Sequence, residues 1–174
     1  MTNETTKAPE TSPLARSVAS VAGTLSHPEF PKGDLAALRR GGQALVASPG
    51  FWRVLLDRVD ESLRATDQAE RTWGVIFQAM AIMAPDIHSP GRTLGAVLAS
   101  MSESLEHRFL RLLRSRGEQL EDQVRLMARL LASHGAAVDW VSLADLLLAR
   151  SDEQRERTVR RLARDYYGGK SSAA

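Results

Sequence analysis

Four arginines near the C-terminal end, Arg157, Arg160, Arg161 and Arg164, are spaced so that a helix would gather them on one side. At about 100° per residue they fall inside an arc of roughly 100°, opposite an apolar stripe of Val159, Leu162, Ala163 and Tyr166. Only Glu153 shares that arc, one turn before Arg157. A single i,i+4 pair therefore leaves the other three guanidiniums facing solvent. Guanidinium suits phosphate because it is planar, permanently charged and donates two parallel hydrogen bonds. A nucleic-acid backbone is the first partner this pattern predicts.

A second run repeats the design. Between Ser102 and Arg116, Leu105, Phe109, Leu112 and Leu113 mark a core face, while Arg108, Arg111 and Arg114 march across the other side. Glu103, Glu106 and Glu118 are close enough to pair with some of these arginines, and one charged helix face is usually just a solvated face. Two such faces in one small domain, each with fewer acids than bases, favour a binding surface. Between them, Arg125 has Glu121 and Asp122 as local partners, whereas Arg129 has none. The net charge is only +2, and of 23 basic residues just Lys7, Lys32 and Lys170 are lysines. The signal therefore lies in local stripes and not in bulk charge.

Other chemistries fail on inspection. Gly168-Gly169-Lys170-Ser171 resembles the tail of a phosphate loop, but Arg164 stands where the first glycine belongs and a helix precedes it instead of a strand. His27, His88, His107 and His134 show no i,i+4 spacing, so they read as surface or cap residues and not as metal ligands. There is no Gly-x-Ser-x-Gly elbow, and zero cysteines exclude thiolate sites and disulfides. Trp52, Trp73 and Trp140 sit at helical spacing among apolar residues and read as core anchors. No enzyme, metal or cofactor is expected.

Helices must position these groups. With 174 residues and 43% hydrophobic content the chain can bury one sizeable core. Met1–Ser12 reads as a disordered tail. Ser12-Pro13 opens a helix to about Leu25. A short helix from Asp34 to Arg40 stops at Gly41-Gly42, Ser48-Pro49 opens another to about Val59, and Thr66 or Asp67 starts the most apolar one, to about Ala84. Pro85 to Gly91 is a linker between a lobe at 13–84 and a lobe at 92–167. Helices follow at Arg92–Ser100, Ser102–Arg116, Glu118–His134, Asp139–Ala149 and Ser151–Tyr167, with 168–174 a flexible tail after Gly168-Gly169. No segment alternates with period two, so the fold class is all-α: two small helical lobes packed together.

Taken in order, Gly33 to Gly41 (GDLAALRRG), Phe51-Trp52-Arg53, Leu94-Gly95, Glu106 to Arg114, Val138-Asp139-Trp140 and Arg161 to Tyr167 (RLARDYY) resemble the CasB family. CasB is the small subunit of the type I-E CRISPR surveillance complex, Cascade. The resemblance implies an all-helical, non-catalytic protein that lies as two copies along the belly of the complex, beside the paths of guide RNA and target DNA. Such a protein helps to hold the opened DNA and its displaced strand, while RNA–DNA pairing reads the sequence. It also implies roles for Arg39 and Arg40 in the first block, Arg108 and Arg114 in the central helix, Arg129 before the Asp-Trp block, and Arg161 and Arg164 at the end. Arg111, Arg157 and Arg160 join them from the helical faces alone. One departure is Ala96, where the family often carries an arginine after Leu-Gly; Arg92, one turn earlier, is the substitute.

The partners implied are guide RNA, target DNA, the displaced single strand, other Cascade subunits and a second copy of the chain. A polar N-terminal stretch and the lack of a long apolar run make the cytoplasm the default and exclude a membrane partner. The residues alone leave open a helical adaptor for acidic protein surfaces. A helix-turn-helix regulator is weaker, because neither helix flanking Gly117 is marked as groove-reading.

Overall fold

The computed structural model describes residues 11–173, so most of the expected N-terminal tail lies outside the described residues. Among them the chain is all-α, and its only β contact is an isolated parallel bridge between His88 and Val138. The helices are α1 (Pro13–Ser26), α2 (Lys32–Arg40), α3 (Pro49–Arg58), α4 (Asp67–Met83), α5 (Leu94–Met101), α6 (Glu106–Arg114), α7 (Gly117–Ser133), α8 (Val141–Leu147) and α9 (Asp152–Ala173).

Local chemistry starts several of them. Ser12 accepts a hydrogen bond from the Ala15 amide with Pro13 at the first helical position, Thr66 accepts from Ala69, and Thr93 accepts from Ala96. The expected helix from Ser102 to Arg116 is shorter: Ser102 caps a 3-10 turn at Glu103–Leu105, and α6 ends at Arg114. Gly117, expected as a stop, instead opens α7 with φ +52°.

Helix α4 is the axis of the molecule. From Thr72 to Met83 every residue but Ile82 is buried, and α1, α2, α3 and α7 pack around it. Because nearly its whole circumference is apolar, it has to be enclosed. On the far side α5 lies along α9 at very short range. A Cβ on Gly95 would fall 2.5 Å from the Tyr166 amide nitrogen and 2.6 Å from the Leu162 carbonyl oxygen, so only glycine permits this approach.

That close packing explains the largest departure from expectation. Gly168-Gly169 does not stop α9; the helix runs through both glycines to Ala173. Gly169 lies against Ala96 and Ala99 of α5, each 3.4 Å from where its Cβ would be. Packing along a neighbour outweighs the cost of about 1 kcal/mol per helical glycine.

The segment Pro85–Gly91 is stitched to the loop before α8. The Ser89 amide donates to Val138 O at 3.0 Å, Gly91 donates to Asp139 Oδ2 at 3.0 Å, and the Trp140 amide donates to His88 Nδ1 at 3.1 Å. One contiguous core runs through both halves, from Val18 to Tyr166. Its largest anchors include Trp73 and Trp140, both fully buried as expected; Trp52 is half-buried and donates to Val46 O at 2.8 Å.

Candidate nucleic-acid interface

Helix α6 is amphipathic in the strict sense. Phe109, Leu112 and Leu113 are buried, with Phe109 stacked on Tyr166 at 4.6 Å between centroids. The opposite side presents Arg108, Arg111 and Arg114, all exposed and none with a hydrogen bond or ion pair among the described residues. The acids expected as competitors do not take them. Glu106 instead accepts from the Tyr167 hydroxyl at 3.0 Å.

The end of α6 is held by an arginine that sequence reasoning passed over. Arg155 of α9 donates Nη2 to Leu113 O at 2.9 Å and also reaches Ser115 O, satisfying carbonyls that a helix end leaves open. Burial first, then the nearby Arg116, holds its pKa below the ordinary arginine value. No spacing rule could have found it, because its partners lie some forty residues away in the chain.

Helix α9 presents its four arginines as exposed groups, but they are not equivalent. Arg160 pairs with Glu156 one turn before it, Nε to Oε1 at 3.1 Å. Glu156 sits about 40° outside the arginine arc, and a long guanidinium stem reaches past that edge. Arg161 pairs with Asp145 of α8 at 3.1 Å. The same carboxylate accepts from Gln154 at 3.1 Å and from the buried Thr158 hydroxyl, so it serves as a clamp between α8 and α9. Arg157 and Arg164 remain without such partners among the described residues. The expectation that one acid, Glu153, is all that offsets this face is therefore corrected: Glu156 and Asp145 take two of the four arginines.

The remaining candidates lie on α2 and α7. Arg39, at the end of α2, donates Nε to Ala81 O at 2.8 Å, while the side chains of Arg40 and Arg129 are exposed with no partner among the described residues. Arg125 has the pairs its spacing predicts, Asp122 at 2.9 Å and Glu121 at 3.3 Å. Ala96 is exposed on α5 beside Gly169, and Arg92 lies outside that helix, before its Thr93 cap, with a free side chain among the described residues.

Among the described residues no group of histidines and acids is placed to hold a metal ion, and no helix is long and apolar enough to cross a membrane. What the surface can do chemically is donate: rigid helices carry charged forks with no internal acceptor.

Solved structures share this fold. A chain of the crystal structure of E. coli Cascade bound to a PAM-containing dsDNA target matches with TM-score 0.65 at 16% identity, covering 89% of this chain and 97% of that one. CasB from Thermus thermophilus matches at 28% identity and TM-score 0.65, covering 91% and 99%. CasB from Thermobifida fusca matches at 21% identity and TM-score 0.66, covering 88% and 95%. No curated protein sequence matches the chain. The sequence model of CRISPR-associated protein Cse2 spans residues 34–167, nearly the stretch over which the ordered blocks from Gly33 to Tyr167 resemble CasB, and the chain belongs to that Cse2 family.

Proposed function

We propose that this protein is a non-catalytic subunit of a type I-E Cascade complex that steadies the opened target by arginine–phosphate contacts. The observation that carries the reading is the α6 face, where Arg108, Arg111 and Arg114 stand exposed and unpaired on a helix pinned by Phe109 and Arg155. Membership of the Cse2 family supplies the assembly, and the DNA-bound E. coli Cascade is the precedent for the partner. Guide RNA, target DNA and the displaced strand are the nucleic acids within reach of such a subunit, with a second copy of the chain and the other Cascade proteins beside it.

Backbone contacts alone are sufficient for this task. Exchanging a DNA duplex for an RNA–DNA duplex is nearly balanced in free energy, so a few phosphate contacts decide whether the open state persists. Arg157 and Arg164 of α9 add two free arginines to the three of α6, and Arg39, Arg40 and Arg129 stand on α2 and α7.

Co-expression with the other Cascade subunits and a guide RNA tests the reading. The chain should co-purify with the complex, and omitting it should shorten the lifetime of the open DNA while leaving guide loading intact. The isolated chain should bind random single strands weakly, with a log–log salt slope of about −3.5 if the five free arginines of α6 and α9 each meet one phosphate. Affinity that ignores salt would favour an adaptor for protein surfaces instead.

A further inference from the structure

Gln78 is a polar side chain on the most enclosed helix, only 8% exposed, and every hydrogen bond it makes leaves that helix. Its Nε2 donates to the carbonyls of Arg39 at 3.2 Å and Arg40 at 3.0 Å, and its Oε1 accepts from Arg125 Nε at 2.7 Å. The orientation of the amide is dictated by its surroundings, with two acceptors on one side and a guanidinium donor on the other. One carboxamide thus joins the end of α2 to the middle of α7 across α4.

Gly41 makes room for it. A Cβ there would lie 2.3 Å from Gln78 Cδ, and the residue has φ +61°, so glycine is required twice over. Arg39 adds a second tie through its Nε to Ala81 O. Arg125 is held by Glu121 and Asp122, so it is not among the free guanidiniums.

Helices α4 and α7 run parallel. Thr66 and Ala69 line the same groove as Gly117 and Leu120, and one turn of sequence offset relates Gln78 to Ile82 as it relates Arg125 to Arg129. Arg129 lies about 6 Å further along α7 than Arg125, which brings it level with Ile82, next to the carbonyl that anchors Arg39. That rise carries Arg129 toward the same end of α4 as Arg39 and Arg40, which neighbour each other and lie far from it in sequence.

We propose that Gln78 is the positioning residue of a second phosphate-binding patch, made of Arg39, Arg40 and Arg129, separate from the α6 face. The proposal rests on the nucleic-acid reading above and adds to it a patch whose geometry depends on one buried amide. Holding the backbone that carries Arg39 and Arg40, and the turn of α7 before Arg129, ahead of the ligand lowers the ordering cost that a mobile scaffold would otherwise incur on binding.

The absence of cysteine makes a direct test possible. Spin labels placed through Arg40→Cys and Arg129→Cys report the spacing of the patch, and fluorescence anisotropy with a single strand of about 20 nucleotides reports its use. Gln78→Met should keep its helical circular dichroism, broaden the label distance, weaken DNA binding about threefold to tenfold and flatten the salt slope by about 0.7 for each phosphate no longer held. In an Arg40→Ala/Arg129→Ala background the same change should have no further effect on binding. A folded Gln78→Met with an unchanged distance or unchanged affinity would overturn the proposal, as would a full loss in the double-alanine background. If Gln78→Met does not fold, Gln78→Glu keeps an acceptor for Arg125 but sets a charged oxygen against the two α2 carbonyls; the label distance, which its added charge does not bias as it would DNA affinity, should then broaden, and an unchanged distance would overturn the proposal. A parent protein that ignores DNA while its label distance still depends on Gln78 would refute the phosphate reading and uphold the positioning.

Discussion

Helices α6 and α9 carry similar arginine stripes, and their fates in the fold differ. The three arginines of α6 stay free, whereas α9 loses Arg160 to Glu156 and Arg161 to Asp145. A helical arc counts what faces one way; it does not count acids at its edge or on the next helix. The run with more arginines is thus the less available, and a stripe becomes a binding surface only where neighbouring elements supply no acceptor.

The sharpest way to break the comparison is to unseat α8. Trp140 is fully buried and its amide is tied to His88, so Trp140→Ala should cost about 3–5 kcal/mol. It should abolish the contribution of both faces together, by unfolding, in circular dichroism melts.

Next in size is the direct contest between faces. Replacing Arg108, Arg111 and Arg114 by alanine should flatten the single-strand salt slope by about 2, while replacing Arg157, Arg160, Arg161 and Arg164 should flatten it by only about 1.4, since two of those four are already paired. Both variants should stay folded, because alanine is the better helix former and the core faces are untouched. A larger loss from the α9 variant in R-loop footprinting would reverse the ranking.

A smaller change should convert one face toward the other. Asp145→Asn releases Arg161 and should steepen the slope by about 0.7. The ion pair it removes is partly exposed, 50% at Arg161 and 22% at Asp145, so its own loss is worth about 0–1 kcal/mol, added to whatever the Thr158 and Gln154 bonds contribute. An unchanged slope would mean that Arg161 never reaches phosphate.

The smallest effect is on acid stability at the start of α9. Arg116 holds the Asp152 carboxyl below its ordinary pKa, by hydrogen bond first and charge second. A depressed folded pKa contributes stability that is present above the ordinary aspartate value and is lost as pH falls through the folded one. Asp152→Asn should therefore flatten the decline in Tm below about pH 4 and change nothing near neutrality except the loss of a largely exposed pair. An unaltered acid limb would show that this pairing does not anchor α9.

Where recognition depends on neighbours along one helix, the residues alone suffice. The helical class, the caps at Ser12 and Thr66, the core faces of α6 and α9 and the pairing of Arg125 with Glu121 and Asp122 all follow from periods and spacings of three or four residues. The ordered blocks from Gly33 to Tyr167 also carried the family. Tertiary packing decided the rest, because it brings together groups that no spacing relates. It runs α9 past Gly168-Gly169 along the small residues of α5, caps α6 with Arg155 and pairs Arg161 with Asp145. It also sets Gln78 between α2 and α7. A buried amide, a close glycine approach and an ion pair between helices each require two chain segments to meet within a few ångströms, and that proximity exists only once the core around α4 has formed.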